Sequence, residues 1–125
     1  MNAISFPETS HHPKGWGEEI WVINSPQYCL KFLLFKAGSK GSLHFHEKKQ
    51  ETWYVESGKL DLEMIDTTSG LSRTVNLFTG DVVHIPQFCP HRVSAITDVK
   101  IIEVSTQHFE DDSFRIKPGD SQNAA

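Results

Sequence analysis

The sequence has 125 residues, of which 38% are hydrophobic, and a formal net charge of -4. This length suits one compact domain, and the hydrophobic content is too high for a disordered chain. The negative charge argues against a nucleic-acid partner, no apolar run is long enough to span a membrane, and the N-terminus lacks a secretory signal pattern. The two cysteines, Cys29 and Cys89, are far apart and are expected to be reduced thiols. We therefore expect a soluble cytoplasmic protein.

The chain is predicted to contain a polar N-terminal arm (1–15), one folded domain (16–117) and a flexible tail (118–125). Within the domain, short apolar or alternating segments are separated by turn residues about every ten positions, which is typical of an all-β sandwich or barrel. The predicted strands are, in chain order, 20–23, 28–36, 42–46, 52–56, 59–66, 71–77, 81–85, 91–96 and 99–105. Residues 109–115 are the one place where a turn of helix is expected.

Two separate segments carry residues that ligate metals. His44 and His46 are two positions apart on a predicted strand, so their imidazoles share a face and can bind the same ion. Glu51 begins the next strand and brings a carboxylate beside them, and His91 supplies a third imidazole from a distant strand. Three imidazoles and one carboxylate suit a single Zn, Mn, Fe, Ni or Co ion, and the sequence does not choose among them. A closed tetrahedral Zn site with a purely structural role is the alternative.

The two segments together resemble the two cupin motifs. Five residues match the first motif, G(X)5HXH(X)3,4E(X)6G: Gly38, His44, His46, Glu51 and Gly58. Gly80, Pro86 and His91 match the second motif, in which Phe88 replaces the usual Gly and Ala95 the usual Asn. The resemblance covers roughly residues 16–115. It implies a double-stranded β-helix, a jelly-roll-like barrel with one metal ion inside its mouth.

A narrower resemblance concerns the ends of the domain. The segments GWGEE at 15–19, HIPQFCPHRV at 84–93 and IIEVSTQHFEDDSFRI at 101–116 are similar to the C-terminal cupin domain of type II phosphomannose isomerases, which often occurs fused to mannose-1-phosphate guanylyltransferase. The resemblance implies that the chain isomerises a sugar phosphate, of the mannose 6-phosphate type. Two alternatives remain: a metal-dependent sugar-binding module without catalysis, favoured by Lys49 where that family has Arg, and an Fe-dependent dioxygenase.

Several residues near the ligands are candidates for roles in such a reaction. Lys49, beside the ligands in the sequence, is the candidate catalytic residue, with His84 and Glu103 as other possible bases. Arg92 is a candidate phosphate contact, although strand parity favours an outward-facing charge at this position. Trp53 is a candidate wall of the substrate pocket, and core packing explains it equally well. Because small barrels expose edge strands, a homodimer is also predicted, with Trp16 and the strand at 28–36 at its interface.

Overall fold

The computed structural model describes residues 4–123, and nearly all regular structure in this range is β-strand. The elements are β1 (Ser10–Lys14), β2 (Gly17–Asn24), β3 (Cys29–Phe35), β4 (Leu43–Phe45), β5 (Glu51–Ser57), β6 (Lys59–Ile65), β7 (Ser72–Phe78), β8 (Val82–Ile85), β9 (His91–Ala95), β10 (Val99–Ser105), β11 (Phe114–Lys117) and α1 (Asp120–Asn123). The described residues contain no helix long and apolar enough to cross a membrane.

The strands form two antiparallel sheets that enclose one core. One sheet has the order β1-β2-β3-β10-β5-β8 and the other β11-β4-β9-β6-β7. Many neighbouring strands are far apart in the sequence, such as β3 and β10, which is typical of a jelly roll and not of a simple meander. The prediction of an all-β, single-domain, jelly-roll-like barrel is confirmed.

The core follows from the alternation of side chains along each strand. In β3 every second residue is buried, and the same pattern recurs in β5, β9 and β10. Inward side chains of the six-stranded sheet, including Leu33, Val55 and Ile101, meet Leu60 and Leu62 of the opposite sheet. Burial of such side chains removes apolar surface from water, and each one contributes roughly 1.5–3 kcal/mol to folding.

Both ends of the chain take part in the barrel. Residues 10–14, within the predicted arm, form β1, which pairs with β2 at the edge of the six-stranded sheet. Pro13 fits there, since an edge strand has one side without sheet partners for its backbone. Residues 1–3 and 124–125, which the predicted arm and tail also include, lie outside the described residues.

The segment after β11 docks onto the loop before β4. Asp120 accepts a hydrogen bond from the Lys40 backbone N–H (2.8 Å) and donates its own N–H to the Lys40 carbonyl (2.9 Å). A Cβ at Gly119 would lie 2.3 Å from the backbone carbon of Gly41, so this close approach requires glycine. Where a turn of helix was expected at 109–115, the structure has a turn at Phe109–Asp112 followed by β11.

Candidate metal centre

Three histidines converge at one end of the barrel. His44 on β4 and His91 on β9 are directly paired across the five-stranded sheet, and His46 lies just after β4 on the same face as His44. One ring nitrogen from each of the three residues lies within 4.8 Å of the others. This spacing allows all three imidazoles to bind one ion, so the structure brings together the three histidines that the sequence predicts as ligands.

Backbone carbonyls orient all three rings. The Nδ1 atom of each ring lies within 3.0 Å of a carbonyl oxygen: Ser42 for His44, Asp112 for His46 and Cys89 for His91. Because a carbonyl oxygen only accepts, Nδ1 must carry the proton and donate it. The tautomer then leaves Nε2 with a free lone pair, which is the form of histidine that ligates metals.

The imidazoles are also kept neutral by their surroundings. Burial lowers the pKa of His44 to about 3, with a further contribution from His91. Burial lowers the pKa of His46 to about 4, helped by the nearby Lys49 ammonium, and burial likewise lowers the pKa of His91 to about 4. A neutral imidazole does not have to lose a proton before it binds a cation.

Glu51 lies beside the three histidines, and one of its carboxylate oxygens is free to bind an ion. Its Oε1 accepts a hydrogen bond from the Trp53 indole N–H (2.5 Å), while Oε2 lies 3.4 Å from His46 Nε2. Among the described residues, Oε2 has no hydrogen-bond partner although it is buried. A buried carboxylate oxygen without a donor is costly, and a cation between it and the imidazoles would remove that cost. The donor set therefore fits a divalent ion.

A second charged pair lies directly beside Glu51. The Lys49 ammonium is 3.1 Å from Glu103 Oε2 and 3.6 Å from Glu51 Oε2, and the side chains of all three residues are at most 4% exposed. Burial alone would lower the pKa of Lys49, but Glu103 and Glu51 more than offset it and raise that pKa. Burial and the charge of Glu51 raise the pKa of Glu103. Lys49 is therefore a protonated ammonium that can donate hydrogen bonds but is poorly suited to accept a proton.

The structure separates the other candidates by the side of the barrel on which they lie. Trp53 is buried at the site, with its ring edge-on to His91 (centroids 5.6 Å apart), and Glu103 faces inward next to it. His84 is on the outer face of β8, where its ring pairs with the Thr52 hydroxyl at 3.1 Å. Arg92 lies in the cavity wall, with a buried Nε that has no partner among the described residues and an Nη2 that donates to the Pro118 carbonyl at 3.4 Å.

The loop that carries the ligands is held by Asp112. Its carboxylate accepts hydrogen bonds of 2.9–3.0 Å from the backbone N–H groups of Glu47, Lys48 and Lys49, and its carbonyl accepts from His46 Nδ1 (2.7 Å). Burial opposes ionisation of this carboxyl, but the three N–H donors outweigh it and lower its pKa. Asp112 lies in the segment at 101–116 that resembles type II phosphomannose isomerases. Its positioning role was missed because it depends on a contact across more than sixty residues.

The ligands line a cavity of about 280 Å³ between the two sheets. Five lysine or arginine side chains and four glutamates contribute to its wall, together with Trp16, Trp21 and Trp53. A cavity of this size, with metal ligands at one end and charged groups along its walls, suits a small polar molecule.

Fold and site together define a metal-binding jelly-roll protein, and comparison with known proteins identifies the family. The cupin domain model matches residues 31–106, and the chain belongs to the cupin family. No curated protein matches the sequence.

Solved structures agree with this assignment at the level of the fold. Oxalate decarboxylase from Bacillus subtilis at pH 4.6 aligns with 90% of this chain and 31% of its own, with a TM-score of 0.80 and 20% identity. CapF with the inhibitor 3-isopropenyl-tropolone aligns with 90% of this chain and 35% of its own, with a TM-score of 0.77 and 21% identity. The chain thus spans about a third of the length of these proteins. One study of the Bacillus subtilis enzyme concerns its Mn(II) centres.

Proposed function

We propose that the chain is a metal-dependent isomerase that interconverts an aldose phosphate and a ketose phosphate, of the mannose 6-phosphate and fructose 6-phosphate type. The observation that carries the proposal is the Lys49–Glu103 pair, buried in the same cavity as the histidine ligands. It places an ammonium and a carboxyl group next to the position where an ion would hold a sugar carbonyl. The narrower resemblance of the sequence to type II phosphomannose isomerases supports the same substrate class.

The proposed ligands are His44, His46, His91 and Glu51, the last through its free Oε2. Mn is the first ion to test, because the similar oxalate decarboxylase contains Mn(II) centres. These four side chains would hold the ion, and a metal that accepts six ligands would have room for substrate oxygens. When bound, the ion polarises the carbonyl and lowers the energy of the negative charge that develops beside it.

The chain's own residues supply the proton transfer. In our proposal Glu103 takes the proton from the carbon next to the carbonyl and returns it to the former carbonyl carbon, while the hydroxyl proton moves between the two oxygens. Lys49 stabilises the negative charge on these oxygens, a role that suits its permanent protonation. We therefore assign Lys49 as the electrostatic catalyst, in place of the base suggested by its position in the sequence.

Trp53 and Arg92 complete the proposed substrate cavity. Trp53 positions Glu51 through its indole N–H and excludes water from the ligand side. Arg92 offers a positive charge to an anionic group from the opposite sheet.

Isomerisation is tested with Mn-loaded protein and either sugar phosphate in deuterated water, by following product and the exchange of a carbon-bound proton, at C2 of the aldose phosphate or at C1 of the ketose phosphate. We expect Glu103→Gln to lower both rates by about a hundredfold or more at unchanged metal content. Asp61→Asn, which changes a carboxylate on the outward-facing side of β6, is the control and should behave as wild type. The proposal fails if metal-loaded wild-type protein gives neither product nor exchange. Saturable binding of the same sugars without turnover would instead identify a sugar-binding module.

We also propose that two copies pair through the outer face of the six-stranded sheet. Tyr54, Val82 and Val104 are on this face and are 44–64% exposed, so that a contiguous apolar surface meets solvent. Trp16, expected at the interface from the sequence, is instead buried and stacked on Phe35 at 3.9 Å. Light scattering should give the mass of a dimer at micromolar concentration, and Val104→Glu should shift it towards a monomer. A wild-type monomer would refute this assembly.

A further inference from the structure

A second group of polar side chains lies in the same cavity, away from the histidine ligands. We call Glu19, Trp21, Lys31 and His108 the distal cluster. Lys31 is on the inner face of β3, in line with the buried residues Cys29, Leu33 and Phe35, and its side chain is only 3% exposed. An ammonium group in such an apolar row is costly to bury, so its presence requires a compensating role or partner.

The neighbours of Lys31 stabilise its positive charge but use only part of its hydrogen-bonding capacity. Its Nζ lies 3.7 Å from Glu19 Oε1, which already accepts a hydrogen bond from the Trp21 indole (2.9 Å), and 4.3 Å from the centre of the Trp21 ring. Within residues 4–123, His108 Nδ1 is the one acceptor at hydrogen-bond distance, at 3.1 Å. An ammonium has three donors, so two remain for a ligand in the cavity.

The register of the sheet sets how far the backbone at Lys31 lies from the strand that carries Glu51. Lys31 is directly opposite Glu103 on β10, and Glu103 is directly opposite Trp53 on β5. Neighbouring strands are about 4.8 Å apart, so Lys31 lies about 10 Å across the sheet from the strand that begins with Glu51. This span is comparable to that of an open-chain sugar phosphate whose carbonyl end is at the metal ligands.

The charge of the cavity favours an anionic ligand. The chain as a whole has a net charge of -4, whereas the cavity wall has five lysine or arginine residues against four glutamates. A divalent ion at the histidines would make this excess of positive charge larger. Such a local field attracts anions in spite of the overall charge.

We propose that the distal cluster, through the Lys31 ammonium, binds the anionic end of the substrate, a phosphate or a carboxylate, while the other end reaches the metal centre. This inference rests on the proposed function and adds to it the specificity for a charged substrate. Glu19 and Trp21 hold Lys31 in place, and the free donors of Lys31 contact the anionic oxygens.

The test measures binding at equilibrium, which does not depend on the rate of turnover, by calorimetry on Mn-loaded protein with fructose, fructose 6-phosphate and glucuronate. Wild-type protein should bind fructose 6-phosphate more tightly than fructose. Lys31→Met keeps an unbranched side chain of nearly the same shape and removes the ammonium. It should weaken binding of the phosphate ester roughly ten- to hundredfold and leave binding of fructose unchanged. If Lys31→Met also loses affinity for glucuronate, the site recognises anionic oxygens in general. If only the affinity for the phosphate ester falls, the site is specific for phosphate. The control is Lys59→Met, whose ammonium lies over Phe78 outside the cavity.

Two results would overturn the proposal. One is equal affinity of the wild type for fructose and for fructose 6-phosphate. The other is an equal fall in the affinity for both ligands in Lys31→Met, which would show that Lys31 has a purely structural role. If Lys31→Met does not fold, the double variant Lys31→Met with Glu19→Gln is used in its place. It removes both charges of the ion pair and leaves no unpaired carboxylate. Selective binding of the phosphate ester without any isomerisation would leave the distal cluster in place and reject only the isomerase.

Discussion

The inner face of the six-stranded sheet has two halves that differ in chemistry although both are buried. Three strands, β3, β5 and β10, each run from one half to the other. The metal end contributes Glu51 and Glu103, with Lys31 of the distal cluster opposite Glu103. The opposite end, which we call the closed end, contributes Phe35, Val55 and Val99. The same alternation of inward positions therefore produces a charged surface at one end and an apolar core at the other.

The difference shows which half serves stability and which serves function. Apolar side chains at the closed end stabilise the fold simply by leaving water. At the metal end, the removal of charges from water costs free energy that ion pairs recover only in part. An apolar replacement would often be as stable or more so, so we attribute the buried charges to binding and chemistry.

The largest expected effect concerns the ligands at the metal end. Chelation should destabilise the wild-type protein by about 4 kcal/mol when the ion had been present at a thousandfold excess over its Kd. His91→Ala should contain little metal and should no longer respond to the chelator, because one of three converging imidazoles is lost. Metal analysis together with thermal melts checks both statements, with the exposed His84→Ala as the control. A His91→Ala protein that retains a full equivalent of metal would contradict the assignment.

A substitution at the closed end should give the opposite pattern. Ile101 is fully buried, and Ile101→Ala should destabilise the protein by about 3 kcal/mol because it leaves a cavity in the core. Metal content at saturating ion should stay at the wild-type value, since Ile101 belongs to the apolar core cluster and offers no ligand atom. Denaturant titration and metal analysis measure the two quantities separately. A matching loss of metal would show that the two halves are not independent.

Much of the fold could be predicted because it depends on local alternation. The positions of β2 to β10 follow from apolar and β-branched residues at every second position, bounded by turn residues. β1 and β11 were missed, since their sequences, SHHPK and FRIK, have mostly exposed side chains and are strands only because β2 and β4 pair with them. Phe88 shows a similar limit: its φ of 63° retains the left-handed turn for which the motif normally uses glycine.

The part of the site that follows from the sequence motifs and strand parity could be predicted, and the contacts between distant residues could not. His44 and His46 could be found because they share one face of a strand, and His91 because it matches the second cupin motif. The inward orientation of Glu103 could also have been derived, since it shares its parity with the core residues Val99 and Ile101 on β10. The pairing of Lys49 with Glu103 and the contacts of Asp112 could not, because they join residues more than fifty positions apart.

A smaller effect is expected where the metal end is supported from outside. Asp112→Ala removes the acceptor of three backbone N–H groups and should destabilise the protein by about 2 kcal/mol. It should also weaken metal binding about tenfold or more, because the ligand loop loses its fixed position. The adjacent exposed residue provides the control, as Asp111→Ala should change neither quantity. Metal titrations of both variants decide the matter, and equal affinities would exclude a positioning role for Asp112.

The smallest effect concerns the pH dependence of stability at the distal cluster. Burial and the adjacent Lys31 ammonium lower the pKa of His108 to about 4, whereas an unfolded chain has the ordinary value near 6.5. Between these values the unfolded state binds more protons, so stability contributed by neutral His108 is complete above pH 6.5 and is lost as the pH falls towards 4. The ring is partly solvated and Glu110 lies 3.8 Å from its Nε2, so we expect a loss of only about 1 kcal/mol. His108→Gln should remove this part of the acid destabilisation in urea titrations from pH 7 to pH 4, while His84→Gln should follow the wild type. A His108→Gln profile parallel to that of the wild type would show that Lys31 does not oppose protonation of His108.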